Sequence, residues 1–157
     1  VNLKTAIVSI GADSITRFQR VLSDSFKNSL NFVVGAKATA TEIATVASEL
    51  EKYDQIIVAL HDQRLRPQSK LNYSSEVNLL ISQLATDKTI FNVFANPYTI
   101  ATFPGIENAK GIVVAYQNDA TFQEASAKVI MGKLKASGKL PVTINAFFKY
   151  GDGLHIN

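Results

Sequence analysis

The chain has 157 residues, 46% of them apolar, and a net charge of +3, which suits one domain with a full core and is short for two. It has no cysteine, so a disulfide framework and a thiolate zinc site are excluded, while the compartment stays open. Lys and Arg are scattered rather than striped, no apolar run approaches the roughly 20 residues of a membrane helix, and no signal peptide is visible; nucleic-acid binding and a membrane span are not expected.

The chain opens on Val1 rather than Met, which reads as a segment cut or processed from something longer. Lys4–Gly11 (KTAIVSIG) predicts the first strand. Gly11-Ala12-Asp13-Ser14 is a turn, with Asp13 or Ser14 available to cap a helix carried by Ile15, Phe18, Val21, Leu22 and Phe26. Leu30–Gly35 is a shorter second strand. Thr39 and Glu42 have capping-box spacing, and Ile43, Val46, Ala47, Leu50 and Tyr53 mark one face of the next helix.

Asp54–Pro67 (DQIIVALHDQRLRP) follows. Ile56–Leu60 is apolar on both sides of the pleat, as a central parallel strand covered on both faces must be. Asn72–Ser75 offers caps for a helix on Val77, Leu80, Ile81 and Leu84. Thr89–Ala95 is the fourth strand, broken by Asn96-Pro97, and Tyr98–Phe103 predicts a short helical turn. Gly111–Tyr116 is the fifth strand. Thr121 and Glu124 again have capping-box spacing, before a helix on Phe122, Ala125, Val129 and Ile130. Gly138-Lys139-Leu140-Pro141 turns into Val142–Ile144, an additional edge strand. Residues 149–157 read as a tail or linker after a single domain over 1–148, with His155 exposed in it.

Strand and helix alternate five times with short connections. The expected fold is a three-layer α/β/α sandwich, flavodoxin-like, with a mainly parallel sheet of order 2-1-3-4-5.

Open parallel sheets gather ligands and partners at the carboxyl ends of their strands. The loops there hold His61, Asp62, Gln63, Arg64 and Arg66 after the third strand, Asn96 and Tyr98 after the fourth, and Gln117 and Asn118 after the fifth. One imidazole, one carboxylate and two guanidiniums in HDQRLRP suit docking or a cleft wall; as a metal shell, one His and one adjacent Asp fall short. Gly11–Ser14 sits where a phosphate would be cradled, but Asp13 repels an anion and no GxGxxG or GxxxxGK[ST] is present, so no cofactor is expected. A phospho-receiver needs an acidic pair after the first strand and a Lys after the fifth; Asp62 stands at its acceptor position, but the other groups are missing. There is no Gly-x-Ser-x-Gly elbow. Glu76, Glu107 and Glu124 are the candidate glycosidic acids, and they do not assemble into the carboxyl pair that reaction needs.

Phe94–Pro141 carries a resemblance. Asn96-Pro97-Tyr98, then Ala115-Tyr116-Gln117-Asn118, then Gly138-Lys139-Leu140-Pro141-Val142, in that order and with IVALHDQRLRP upstream, resemble the second domain of bacterial glycoside hydrolase family 3 enzymes, nearest their β-N-acetylglucosaminidase-like branch. The resemblance implies a catalytic barrel in a separate N-terminal domain of the same polypeptide, with the nucleophilic Asp and an Asp-His acid/base on it. It also allows a further hydrolase domain downstream. In the β-glucosidase branch the second domain supplies a Glu, but no matching Lys-His-Glu-like loop is present, so no catalytic residue is carried over. The implied role is a non-catalytic accessory domain, inactive alone, serving an enzyme of amino-sugar glycans in the periplasm or outside the cell. A free-standing small-molecule binding or regulatory domain, with its pocket at the loops after Gly11, Leu60 and Ala95, is the alternative, and a hydrolase in its own right comes third.

Overall fold

A computed structural model describes residues 2–153. Among them five strands, β1 (Thr5–Ile10), β2 (Ser29–Val34), β3 (Gln55–His61), β4 (Thr89–Phe94) and β5 (Gly111–Val114), alternate with four α-helices, α1 (Arg17–Ser25), α2 (Ala40–Leu50), α3 (Ser75–Leu84) and α4 (Ala120–Ile130). The sheet is parallel throughout in the expected order β2-β1-β3-β4-β5. β3 is central, and Ile56–Leu60 is buried along its whole length.

The pleat deals alternate residues to two cores. Ala6, Val8, Ile10, Ile56, Val58, Leu60, Phe91 and Val93 pack with Ile43 and Leu50 of α2 and Val77, Leu80 and Ile81 of α3. Ile7, Ile57, Ala59 and Phe94 pack with Phe18 and Leu22 of α1 and Ala127 of α4. Each fully buried Ile, Leu or Phe stabilises the fold by about 2 kcal/mol.

Two helix starts differ from expectation. α1 is capped by Thr16, whose hydroxyl accepts from Gln19 N–H while the Gln19 side chain accepts from Thr16 N–H. Asp13 and Ser14 lie too far upstream. α4 is capped by Asp119, and Glu124 pairs with Arg17 and Lys128 instead of closing a box with Thr121. The Thr39–Glu42 box forms as expected. Beyond β4 a 3-10 helix covers Pro97–Thr102, with the Asn96 carbonyl oxygen Oδ1 accepting from Tyr98 N–H.

Val142–Ile144 is not a strand. Pro141 brings no N–H, and the backbone that follows is spent locally: Ile144 N–H donates to Phe148 O at 2.8 Å, and Tyr150 N–H to Thr143 Oγ1 at 2.9 Å. Of the stretch read as a tail, residues 149–153 are described. Leu140 N–H donates to Asp152 O, Gly151 N–H donates to Leu140 O, and Gly153 bridges Lys139. His155 lies outside the described residues.

The loop from β3 to α3 returns a side chain to the strand ends. Tyr73, 7% exposed, sets its hydroxyl 2.7 Å from His61 O and 3.1 Å from Ile10 O, bridging the ends of β1 and β3. Burial pushes its pKa far up, so it stays a phenol and a donor. Gly11 lies directly against it, at φ +80; a Cβ there would stand 2.5 Å from His61 O and 2.7 Å from Tyr73 Oη. Gly132, at φ +70, has nothing within 4 Å of that position. Gly11→Ala should therefore cost about 3 kcal/mol, adding overpacking to the left-handed backbone term, and Gly132→Ala only about 1 kcal/mol. Urea midpoints of the two variants check this; equal costs would sink the packing account.

Candidate functional site

The carboxyl ends of β1 and β3 and the loop after β5 are joined by one polar chain. His61 is the last residue of β3 and is 2% exposed. Its pleat parity turns it to the α1/α4 side, where Phe94 stacks on the ring at 5.1 Å. A buried imidazole must place both nitrogens. Nδ1 lies 2.6 Å from Asn118 Oδ1 and Nε2 lies 3.0 Å from Ser9 Oγ. Asn118 is oriented by its own amide, which donates to Asp62 O at 3.2 Å. Its oxygen therefore faces the ring, Nδ1 carries the proton, and Ser9 donates to Nε2. Thr16 Oγ1 continues the chain 3.0 Å from Ser9 Oγ.

Gln123 of α4 closes the network. Its Nε2 donates to Asn118 O and Oδ1, and its Oε1 accepts from Phe18 N–H. Gln19, fully buried, donates to Ile7 O at 3.0 Å and Phe32 O at 2.8 Å, fastening α1 to β1 and β2. Ser9, Gln19, Tyr73 and Gln123 were not among the expected site residues. Only Thr16–Gln19 carried a sequence signal, its capping-box spacing.

A serine, an imidazole and a carboxamide in this order resemble a nucleophile, its base and an orienting group. Ser9 is 0% exposed, so no substrate meets its hydroxyl, and the three groups act as a clamp.

Asp62 is buried, and Arg64 grips it with Nε at 2.8 Å and Nη2 at 2.9 Å, while Arg64 N–H adds a bond at 3.1 Å. Burial alone would push the Asp62 carboxyl up; the bonds and charge from Arg64 outweigh it and hold the pKa below the ordinary value. Arg66, Tyr98 and Gln117 are exposed, and Asn96 is half-buried as a cap. The structure thus draws His61, Asp62, Arg64 and Asn118 into one braced unit and leaves Arg66, Tyr98 and Gln117 facing outward along the same rim.

The crevice where a doubly wound fold receives an anion is filled from within. Gly11 N–H donates to Val34 O at 2.8 Å. At the α1 start, Phe18 N–H is taken by Gln123 and Gln19 N–H by Thr16. Tyr73 occupies the gap between β1 and β3. Two of the three candidate glutamates are also engaged, while Glu107 lines the cavity along β5. Glu124 is held below its usual range by bonds from Arg17, then Lys128, and Glu76 by its own backbone N–H, then Ser75. Among the described residues no three His, Asp or Glu form a metal-binding cluster, and no helix is long and apolar enough to cross a membrane. A cavity of about 400 Å³ runs along β5, lined by Ile112, Val114, Leu140, Phe148 and, toward the rim, Tyr116.

Burial holds the His61 pKa down at about 4, against a smaller upward pull from the Asn118 bond. The unfolded chain, with a His of about 6.5, then binds more protons between these values. Stability from this group is intact above about pH 6.5 and falls by about 3 kcal/mol as pH drops through about 4. Asp62 contributes above its ordinary pKa and loses its share at lower pH still. Urea unfolding from pH 7.5 to 4 should show this fall in the native chain and a flatter profile in His61→Gln. A slope equal in both would remove His61 as its source.

No curated protein matches the sequence. Among solved structures, a glycoside hydrolase family 3 β-N-acetylglucosaminidase from Paenibacillus sp. str. FPU-7 shares the fold, with a TM-score of 0.68 and 20% identity over 90% of this chain. The chain spans 27% of that enzyme's length. The family model for the glycosyl hydrolase family 3 C-terminal domain matches residues 4–151. With nearly all of its length inside that match, the chain belongs to the glycosyl hydrolase family 3 C-terminal domain family.

Proposed function

We propose that this domain is a non-catalytic accessory part of a family 3 glycosidase of the β-N-acetylglucosaminidase kind. It packs beside a catalytic barrel on the same polypeptide, braces it and walls its cleft through the rim that Arg66, Asn96, Tyr98 and Gln117 present and that His61, Asp62, Arg64 and Asn118 hold in place from within. The substrate of the whole enzyme is then an amino-sugar glycan such as peptidoglycan or chitin, met in the periplasm or outside the cell. A further hydrolase domain downstream is compatible with this arrangement.

The observation that carries this reading is the self-satisfied crevice. The Gly11 N–H at the end of β1 and the Phe18 and Gln19 N–H groups at the start of α1 are used by the domain itself, and the Tyr73 phenol fills the gap beside them, which disfavours the small-molecule alternative. Two of the three candidate glutamates speak against independent hydrolysis. A glycosidic general acid needs a raised pKa, and those of Glu76 and Glu124 are lowered.

The isolated chain should hydrolyse no aryl β-N-acetylglucosaminide above a buffer blank, while the full-length polypeptide does. Turnover by isolated chain free of contaminating enzyme would refute the non-catalytic role. Its loss in Glu76→Gln or Glu124→Gln would name the acid.

A further inference from the structure

Resting on the accessory reading above, we propose that Leu65, Tyr98 and Tyr116 form the apolar strip that meets the barrel. Arg64 stands behind them as a positioning residue rather than a contact.

The strip lies over the ends of three neighbouring strands. Leu65 follows β3, Tyr98 follows β4 and Tyr116 follows β5, and these strands are adjacent in the sheet. At about 4.8 Å per strand the strip is about 10 Å across. Leu65 is 101% exposed, Tyr98 43% and Tyr116 39%. Other large apolar side chains are exposed elsewhere, among them Leu30, Leu79, Phe147 and Tyr150; these three are set apart by following three adjacent strands, each on a braced backbone.

The bracing differs at each position. Arg64 spends its guanidinium inside the domain, on both Asp62 oxygens and on Lys70 O at 2.7 Å. It thereby ties the start of the loop to its end and is not free to clamp a partner, while Leu65 is held outward between the ties. Tyr98 sits in the first turn of the 3-10 helix, fixed by Asn96. Tyr116 has φ 66, the single left-handed non-glycine among the described residues. Gln117 N–H donates to Ala115 O at 2.8 Å across it, closing a strained γ-turn. Such strain persists where the surroundings enforce it, and it concentrates at working surfaces.

The occupant is the barrel. A chain that spans 27% of a family 3 enzyme leaves a much larger body for this rim to face, and aromatic and Arg side chains are enriched where proteins meet. Arg66 and Lys70, on the Leu65 loop, form no ion pair among the described residues, so the facing barrel surface should carry carboxylates.

Amide hydrogen exchange of the full-length polypeptide against the 157-residue chain tests this. Segments 63–70, 96–98 and 115–118 should exchange at least tenfold more slowly in the full-length protein. Leu65→Asp and Tyr116→Gly should each return those segments to the isolated rates, with β1 and β3 protection unchanged. Arg64→Ala should remove as much protection as Leu65→Ala, and the double variant no more; additive losses would make Arg64 a contact and overturn its positioning role. Protection on a helix face instead of the rim would overturn the strip and leave the accessory reading standing. No added protection anywhere would overturn the accessory reading, and the strip with it.

Discussion

His61 ends the central strand with both ring nitrogens out of water, and each of them has to find a partner inside the protein. The partners come from different parts of the chain: Ser9 from β1 and Asn118 from the loop after β5. Asn118 in turn takes the Asp62 carbonyl and the Gln123 amide, and Gln123 takes the first turn of α1. A neutral imidazole, with one donor and one acceptor, imposes direction on this chain of bonds. It therefore fixes the positions of β1, β3, α1, α4 and the last rim loop relative to one another. Apolar packing is indifferent to small slips in these contacts; a hydrogen-bonded chain with few spare partners is not.

That chain is also why the rim loops can present side chains outward. Asp62 is buried at the strand end, Arg64 closes on it and on Lys70 O, and the loop between is tied at its start and its end. The polar interior and the exposed surface are parts of one device, in which the first sets the second. On the accessory reading, a surface tied from within suits a domain that braces another body.

Much of the fold was legible in the sequence because parallel strands buried on both faces leave continuous apolar runs, and Ile56–Leu60 is such a run. The sheet order followed from alternation and handedness. Errors arose where side chains compete locally. Thr16 outcompeted Asp13 and Ser14 because Gln19 reciprocates its bond, and Asp119 outcompeted Thr121 because Glu124 is drawn to Arg17 and Lys128. Val142–Ile144 looks like a strand by residue type, but Pro141 and the turn at Asn145 consume its backbone. At the site, His61, Asp62 and Asn118 could be suspected from their places at strand ends. Ser9 and Gln123 could not, because a serine within an apolar strand and a glutamine within a helix carry no pattern until the faces are assigned.

The crevice between β1 and β3 is sealed by a phenol whose two neighbours, Ile10 O and His61 O, are both acceptors. In folds that cradle phosphate, the same place is rimmed with amide hydrogens, so its polarity is positive. Here it is reversed. Taking the phenol away would bare carbonyl oxygens, a lining that welcomes water or a cation and turns an anion aside. The crevice therefore differs from a phosphate-cradling one in the polarity of the groups beside the phenol as well as in having no room for a ligand, and enlarging the gap alone would not make such a site.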